Sequence, residues 1–369
     1  NDGQSMGLPG MIHDMIERAD RDLGADLPGD LAGLQDGDAA ALARIISGLE
    51  LGKLDAKLIE EIRALATERD TVPVIGSTGT GGAGKSSLTD ELIRRFRLYS
   101  GEPKIAVIAV DPTRRKTQGA LLGDRIRMNA INSPNIYMRS MATRDSQSEV
   151  PPATPDIINA CKAACDELVS VETPGIGQGD AAVVEHVDLS LYVMTPEFGA
   201  QSQLEKIDML DFADAVAINK MDRKGAADAL RDVRKQVQRN REAFGQSPDE
   251  MPVFGCMASK FADLGITALY QELLAQFAAK GLGGFSCSIS PVETKQSAPG
   301  QAIVPPERVR YLAEVSETVR DYHKTIATQT RLARERQQLR ETKRMLSEAG
   351  QGTEKGGGDD SDINALIAK

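Results

Sequence analysis

The sequence predicts an α/β fold, in which a mostly parallel sheet is covered by helices on both faces and extended by helices at both ends. One observation is the run Gly79-Thr-Gly-Gly-Ala-Gly-Lys-Ser86, which fits the phosphate-binding pattern G-x-x-x-x-G-K-[ST]. Another is a series of Val- and Ile-rich runs that alternate with helical patterns. Polar residues come directly after these runs, at the carboxyl ends of the predicted strands, which is where parallel sheets place their ligands. Together the observations predict the P-loop NTPase class.

Residues 1–66 are predicted to form a helical extension. A short amphipathic piece at residues 11–18 precedes a connector from Gly24 to Asp38 that is rich in Gly, Pro and Asp. Beyond the connector, apolar residues recur three and four positions apart, which is the period of a helix buried along one face. These residues are Leu42, Ile45, Ile46, Leu49, Leu58, Ile59, Ile62 and Leu65. The helices carry no catalytic grouping, so we expect them to pack on the next domain.

Residues 67–280 are predicted to form the P-loop domain. Its apolar runs are short and nearly continuous, which indicates strands buried on both faces. The predicted strands lie at residues 72–75, 104–111, 168–172, 187–194, 215–219 and 252–256.

The regular alternation stops near Gly281. Residues 281–306 are rich in Ser, Gly and Pro and are predicted to be a linker. Residues 307–349 predict a helical hairpin or a coiled-coil-like arm, because Leu332, Leu339 and Leu346 recur every seven residues. This pattern fits contacts within the chain and contacts with another molecule equally well. Residues 350–369 are predicted to be a disordered tail.

Composition excludes several classes of function. The net charge of −10 over 369 residues argues against a nucleic-acid partner, which requires clustered Lys and Arg. No apolar run approaches the roughly 20 residues of a membrane span, and the N-terminus has no signal-peptide pattern. Four cysteines without a C-x-x-C pair favour a reducing, cytoplasmic setting. The chain begins at Asn1 without Met, so we expect a segment of a longer protein.

The glycine-rich run predicts a site for a nucleotide polyphosphate. Glycines let successive backbone N–H groups turn toward the phosphates, and the following helix adds the positive end of its dipole. Lys85 is expected to reach the terminal phosphates as a catalytic residue, and the Ser86 hydroxyl to ligate Mg²⁺. The predicted nucleotide-binding residues of this loop are Gly79, Gly81, Gly82, Ala83, Gly84, Lys85, Ser86 and Ser87.

A second motif, Asn219-Lys-Met-Asp222, follows an apolar run and predicts guanine recognition. The Asp222 carboxylate can accept hydrogen bonds from the ring N1–H and the exocyclic amine of guanine, which adenine does not present in that geometry. Asn219 would brace the loop, and Lys220 would lie over the base. Downstream, Ala258-Ser-Lys260 matches a second base-contacting loop, so Ser259 and Lys260 are expected there.

Carboxylates follow two other predicted strands. Glu172 opens Glu172-Thr-Pro-Gly175 where GTPases usually show Asp-x-x-Gly, so it is expected to act on Mg²⁺ or its waters. The Gly175 amide is expected to sense the γ-phosphate. Asp111 and Asp124 are further metal candidates, although a loop aspartate also commonly caps a helix. Gln178 is a candidate for orienting the attacking water, from its position alone.

Taken together, the motifs resemble the MeaB/ArgK family of G proteins, which serve adenosylcobalamin-dependent acyl-CoA mutases. The likeness covers about residues 35–280 and is specific, because Glu replaces the usual Asp in Glu-Thr-x-Gly-x-Gly-Gln. The chain is most similar to the G-protein segment of fused isobutyryl-CoA mutases, which lies between a cobalamin domain and a mutase barrel. The family resemblance rests on residues 41–50, 109–113, 121–128, 171–178 and 219–222, and the closer similarity to the fused form rests on residues 1–8, 138–149 and 311–345.

This resemblance implies a Mg²⁺-dependent GTPase that acts as a G-protein chaperone, gating adenosylcobalamin delivery to an isobutyryl- or methylmalonyl-CoA mutase. It implies that Mg²⁺ lies among Ser86, Asp111, Asp124 and Glu172, and that residues 196–206 form a switch responding to the mutase. The expected partners are an acyl-CoA mutase and its cobalamin-binding domain, fused or separate, and a second copy of the chain in a homodimer. The cobalamin-ligating motif Asp-x-His-x-x-Gly does not occur in the sequence. Adenosylcobalamin is therefore expected only through the partner, and this segment alone should have no mutase activity.

Two alternatives remain open from the residues. One is a regulatory module that binds GTP or GDP with negligible turnover and acts through its conformation. The other is a metal-insertion GTPase of the nickel-delivery type, which would need a His/Cys cluster near the loops. The three histidines, His13, His186 and His323, are scattered along the sequence, which argues against the second alternative.

Overall fold

The computed structural model describes residues 3–20, 22, 24–111, 123–143, 150–164, 166–174, 181–199, 204–205, 207–297 and 311–350. Within these ranges, the side chains of residues 3–5, 123–124, 181, 311–314, 346–347 and 349–350 lie outside the description. Two compact units are present, residues 1–300 and residues 301–369.

Seven strands form the first unit's sheet: β1 (Val74–Gly79), β2 (Ile105–Asp111), β3 (Ile136–Ala142), β4 (Leu168–Glu172), β5 (Leu189–Met194), β6 (Ala215–Ile218) and β7 (Val253–Gly255). All the paired strands run parallel, in the order β3-β2-β4-β1-β5-β6-β7. The carboxyl ends of the strands therefore share one edge of the sheet. This arrangement confirms the predicted fold class.

The helices of the first unit are α1 (Gly3–Ala19), α2 (Ala32–Gln35), α3 (Ala39–Leu51), α4 (Ala56–Thr67), α5 (Lys85–Tyr99), α6 (Gly123–Arg127), α7 (Thr154–Ala163), α8 (Met209–Phe212), α9 (Ala226–Asn240) and α10 (Leu264–Ala279). Side-chain caps fix several starts: Asp38 accepts from the Ala40 amide and Asp55 from the Lys57 amide. α5 instead begins after Gly84, whose φ of 90° is in the left-handed region. The described residues contain no helix both long and apolar enough to cross a bilayer.

Most predicted strands match the observed ones to within two residues at each end, but β1 and β3 differ from the prediction. β1 was predicted at residues 72–75 and actually runs from Val74 to Gly79, into the P-loop motif. It extends this far because Ser77 to Gly79 pair with β5, a register that the apolar pattern does not encode. β3 was not predicted at all. It lies at the sheet edge and includes Arg139 and Ser140, so its sequence lacks a continuous apolar run.

Both faces of the sheet are buried. Successive side chains of a strand lie on opposite faces, so each strand contributes to two clusters. Along β2, Ile105, Val107 and Ala109 pack in one cluster with α5 and α10. Ala106 and Ile108 pack in the opposite cluster with α3, α4 and α7. Helices α3 and α4 of the N-terminal extension therefore cover one face of the sheet and share its core, whereas the apolar side chains of α1 are exposed.

Part of the predicted linker packs on the sheet domain. The Phe285 ring lies 5.3 Å from that of Phe96 in an edge-on contact. Gln296 forms an isolated parallel bridge with Gly255 at the end of β7. In the second unit, the predicted hairpin or arm is one uninterrupted helix, α11 (Tyr311–Gly350), of 40 residues. The predicted tail beyond residue 350 lies outside the described residues.

Candidate functional site

A cavity of about 640 Å³ opens at the carboxyl edge of the sheet. The ends of β2 and β4 reach it, together with the segments that follow β1, β4, β6 and β7 and the first two turns of α5. Parallel topology explains why segments so far apart in sequence meet there. The described residues that line the cavity are Gly81, Gly82, Gly84–Ser87, Asp90, Glu91, Ala109–Asp111, Arg127–Asn129, Glu172–Pro174, Lys220 and Ala258–Phe261.

Two glycines of the phosphate loop are required by geometry. Gly79 has φ 145°, and a Cβ built there would lie 1.9 Å from the carbonyl oxygen of Val193 on β5. Gly84 has φ 90°, and a Cβ there would lie 2.4 Å from Nδ2 of Asn219. The loop is therefore pressed against β5 on one side and against the loop after β6 on the other. Any side chain at either position would force them apart.

Lys85 is the first residue of α5, and its side chain folds back onto the phosphate loop that precedes the helix. Its Nζ donates to the carbonyl oxygen of Gly79 at 2.9 Å, and the residue is 8% exposed. The ammonium group is thus ordered within the phosphate loop and lines the cavity. A buried cation at a helix N-terminus suits a polyphosphate anion, because backbone amides and the ammonium then attract the same negative charge.

The metal candidates converge from three strands. The Ser86 hydroxyl donates to Oε1 of Glu172 at 2.7 Å, joining the loop after β1 to the end of β4. Asp111 ends β2, the strand beside β4, where Ala109 is paired with Glu172. Both carboxylates are buried, with exposures of 5% for Glu172 and 7% for Asp111. The side chain of Asp124 lies outside the described residues, so its predicted role stays a prediction.

This donor set suits Mg²⁺. A hydroxyl and two carboxylates are hard oxygen ligands, and Mg²⁺ usually takes one or two carboxylates from the protein and its other ligands from phosphates and water. Among the described residues, no group of three or more His, Cys, Asp and Glu side chains is placed to hold a metal alone. A ligand set completed by a nucleotide phosphate is consistent with that arrangement.

Asn219 braces three loops at once. Its Nδ2 donates to the carbonyl oxygen of Ala83 in the phosphate loop at 2.9 Å, and its Oδ1 accepts from the Ala258 amide after β7 at 3.0 Å. The residue is 3% exposed. Asn219 and Ala83 therefore lie behind the cavity wall and do not line the cavity. The amide positions other groups that do line it.

The remaining base-site candidates divide into two groups. Lys220, Ser259 and Lys260 line the cavity, and Nζ of Lys220 donates to the Gly82 carbonyl oxygen at 2.6 Å. Asp222 is exposed and is not among the lining residues. Lys220 has a positive φ of 65°, so this loop is held in a conformation that non-glycine residues seldom adopt.

Sequence reasoning missed a second wall of the cavity. Arg127 ends α6, Met128 and Asn129 follow it, and Asp90 on α5 holds this segment by accepting from the Asn129 and Ala130 amides at 3.1 and 2.7 Å. Arg127 and Met128 end the run 121–128 that carries part of the family resemblance, but no site role was predicted for them, and their place at the cavity depends on the bonds to Asp90. Gly175 and Gln178 lie outside the described residues, and their roles remain predictions.

Two ion pairs and one buried acid lie away from the cavity. Glu197, in the segment proposed as a switch, pairs with Arg223 in the loop after β6. Hydrogen bonds from Thr195 and Arg223 lower the Glu197 pKa to about 2. Arg63 of α4 pairs with Asp156 of α7 at 2.8 Å. Asp166 precedes β4 at the opposite end of the sheet from the cavity, and burial raises its pKa to about 7.

Comparison with known proteins gives a consistent result. The sequence model of the family described as "Methylmalonyl Co-A mutase-associated GTPase MeaB" matches residues 42–351. A fused isobutyryl-CoA mutase of Cupriavidus metallidurans is 60% identical over 350 residues, which is 95% of this chain and 32% of the relative. A protein of the same name from Nocardia farcinica is 54% identical over 339 residues, or 92% of this chain and 31% of the relative. The chain thus spans about a third of the length of these curated relatives.

Among solved structures, a LAO/AO transport system kinase matches with a TM-score of 0.46 and 19% identity. That match covers 92% of this chain and 95% of the other.

Proposed function

This chain belongs to the MeaB family of mutase-associated GTPases, and from that premise we propose how it binds GTP, hydrolyses it and transmits the result. GTP or GDP occupies the cavity at the carboxyl edge of the sheet, with its phosphates on the loop from Gly79 to Ser86. The observation that carries this proposal is the hydrogen bond of 2.7 Å between Ser86 and Glu172. It joins the phosphate loop to the segment that leads into the predicted γ-phosphate sensor.

The guanine base lies between the loops that follow β6 and β7. Lys220, Ser259 and Lys260 already line the cavity, which supports this placement. Asp222 reads the base edge, and its exposed position in the structure leaves the carboxylate accessible to a ligand. Asn219 keeps the two base loops and the phosphate loop at a fixed separation, through the bonds from Nδ2 and to Oδ1.

Hydrolysis depends mainly on positioning and charge neutralisation, because the γ-phosphoryl group needs little covalent help from the protein. Lys85 holds the terminal phosphates. Ser86, Asp111, Asp124 and Glu172 would hold Mg²⁺, which would supply positive charge against the phosphates. Gln178 orients the attacking water, and Gly175 responds to the presence of the γ-phosphate.

The output is gating of adenosylcobalamin delivery to an acyl-CoA mutase, isobutyryl- or methylmalonyl-CoA mutase. Support comes from the relatives, which are called fused isobutyryl-CoA mutase and are about three times as long as this chain. The cobalamin-binding domain and the mutase are then partners, fused or separate, of a homodimeric, cytoplasmic GTPase. Residues 196–206 act as the mutase-responsive switch. The ion pair between Glu197 and Arg223 supports a link from this segment to the base loop.

Turnover by the 369-residue chain tests the proposal. Release of phosphate from GTP should require Mg²⁺ and should be lost in Lys85→Ala, while Lys57→Ala, on the exposed surface of α4, should behave as wild type. ATP should be hydrolysed poorly. Equal turnover of ATP and GTP would refute base reading by Asp222.

The regulatory output needs a separate experiment. Single-turnover hydrolysis should be followed with and without an acyl-CoA mutase carrying its cobalamin domain. Acceleration by the mutase supports gating, and Glu197→Gln should weaken that acceleration while leaving basal hydrolysis unchanged. Tight binding with negligible turnover in both conditions would instead favour the regulatory module.

A further inference from the structure

Phe261 is an aromatic residue on the wall of the nucleotide cavity that no motif assigns. It follows Ser259 and Lys260, and all three residues line the cavity. Its side chain is 70% exposed. An exposed phenylalanine is not informative by itself, since apolar atoms make up much of any protein surface. This one differs because Phe261 lines a cavity proposed to bind a ligand and its ring is contacted by another side chain.

Arg94 covers one side of the Phe261 ring. The Cζ atom of its guanidinium lies 3.6 Å from the ring centroid, which is a close cation–π contact. Arg94 lies on α5, and unlike Phe261 it is not among the residues that line the cavity. The guanidinium therefore packs on the Phe261 ring without lining the cavity itself.

The loop that carries Phe261 is fixed at both ends. The Lys260 amide donates to the Met257 carbonyl oxygen at 2.9 Å. Asp263 Oδ2 accepts from the amides of Met257 and Ile266 at 3.2 and 3.1 Å, so one carboxylate closes the loop and caps α10. Between them, Ala262 adopts a positive φ of 54°. The loop is consequently held in one conformation before a ligand arrives.

A buried arginine joins this loop to α5. Arg95 is 3% exposed, and it donates to the Asp263 carbonyl oxygen at 2.9 Å and to Oγ1 of Thr267 at 3.2 Å. Arg94 is its neighbour in sequence. The distance between the helix that presents Arg94 and the loop that presents Phe261 is thus set by buried hydrogen bonds, and the stacked pair is preorganised.

We infer that Phe261 is a base-stacking residue: its ring packs on the guanine of the bound nucleotide, Lys220 lies on the other side of the base, and Arg94 is the positioning residue that supports the ring. The inference rests on the proposed function, because it requires a guanine nucleotide in this cavity. Lys220 and Ala258 belong to loops joined through Asn219 Oδ1, which fixes the width of the gap that receives the base. Aromatic rings suit this role because every base presents a flat π-face.

A fluorescence experiment tests contact directly. The sequence contains no tryptophan, so Phe261→Trp creates a single reporter. GDP should quench its emission, whereas inorganic triphosphate, which has no base, should not. Phe244→Trp is the matched control, because Phe244 is 71% exposed and does not line the cavity. Equal GDP responses from the two reporters would overturn the inference.

Affinity measurements separate this inference from the proposed function. Phe261→Leu should weaken GDP binding about tenfold and Phe261→Ala by at least as much, while the affinity for inorganic triphosphate stays unchanged. Arg94→Gln should lower GDP affinity about threefold, with Arg94→Lys restoring most of it. Circular dichroism and thermal unfolding should show each variant folded.

Each outcome has a distinct meaning. If wild type binds neither GDP nor GTP, the proposed function fails and the inference fails with it. If wild type binds GDP and both Phe261 variants bind it equally well, only the inference fails. If the affinities for GDP and triphosphate fall together, Phe261 supports the loop and is not a base contact, which also overturns the inference.

Discussion

The Ser86 hydroxyl donates to Oε1 of Glu172 across 2.7 Å, although the two residues are 86 positions apart in the chain. Ser86 lies in the first turn of α5 and Glu172 is the last residue of β4, and β4 pairs directly with β1. The bond therefore links the loop expected to hold the phosphates to the segment expected to respond to them.

Replacing Glu172 by Gln should lower GTP turnover about 10- to 100-fold, because it removes a charge from the ligand set without changing its size. The Mg²⁺ concentration that gives half-maximal turnover should rise. Glu167→Gln is the matched control, since Glu167 is exposed beyond the opposite end of the same strand. Turnover and Mg²⁺ dependence like those of wild type in Glu172→Gln would exclude Glu172 from the metal site.

Gly79→Ala should destabilise the fold strongly. The added Cβ would lie 1.9 Å from the Val193 carbonyl oxygen, at a φ of 145° that other residues avoid. Gly82→Ala is the control, because φ at Gly82 is also positive, at 74°, but no atom lies within 4 Å of the added Cβ. That change should cost about 1 kcal/mol. Soluble yield and thermal unfolding compare the two, and similar unfolding temperatures would contradict the clash.

Asn219→Ala should lower the free energy of unfolding by about 1–3 kcal/mol, because the Ala83 carbonyl oxygen and the Ala258 amide would both lose a buried partner. It should also weaken GDP binding, since three loops lose their common brace. Urea unfolding and calorimetry measure these effects. Asn132→Ala, at an exposed position, should change stability by less than about 0.5 kcal/mol.

Asp166 should make stability depend on pH. Burial raises its pKa from 3.8 to about 7, opposed by the charges of Lys104 and Arg69, so the folded chain holds this proton more tightly than the unfolded chain. A carboxyl group of this kind contributes stability below pH 4, and the contribution is lost as pH rises through 7. The stability difference between wild type and Asp166→Asn should therefore change between pH 4 and 7 in favour of the variant. A pH-independent difference would refute the raised pKa.

Several features follow from local sequence alone. The pattern from Gly79 to Ser86 determines a tight loop and a helix start, because glycines and a following amphipathic run act over a few residues. The apolar runs locate β2, β4, β5, β6 and β7 for the same reason, and Asn219 to Asp222 predict guanine. Strand β3 was not predicted, because a strand at the edge of a sheet is partly exposed and needs no continuous apolar run. Residues 127–129 were not predicted to line the cavity.

The sequence by itself determined the class of fold, the phosphate loop and the kind of nucleotide, because each is encoded by neighbouring residues. Only the tertiary structure decided which distant groups meet. Parallel crossovers bring Ser86 to Glu172 and Asn219 to Ala83, and the packing of α5 on the loop after β7 brings Arg94 to Phe261. No local pattern specifies these pairs, since each depends on strand order and on how helices pack across the sheet.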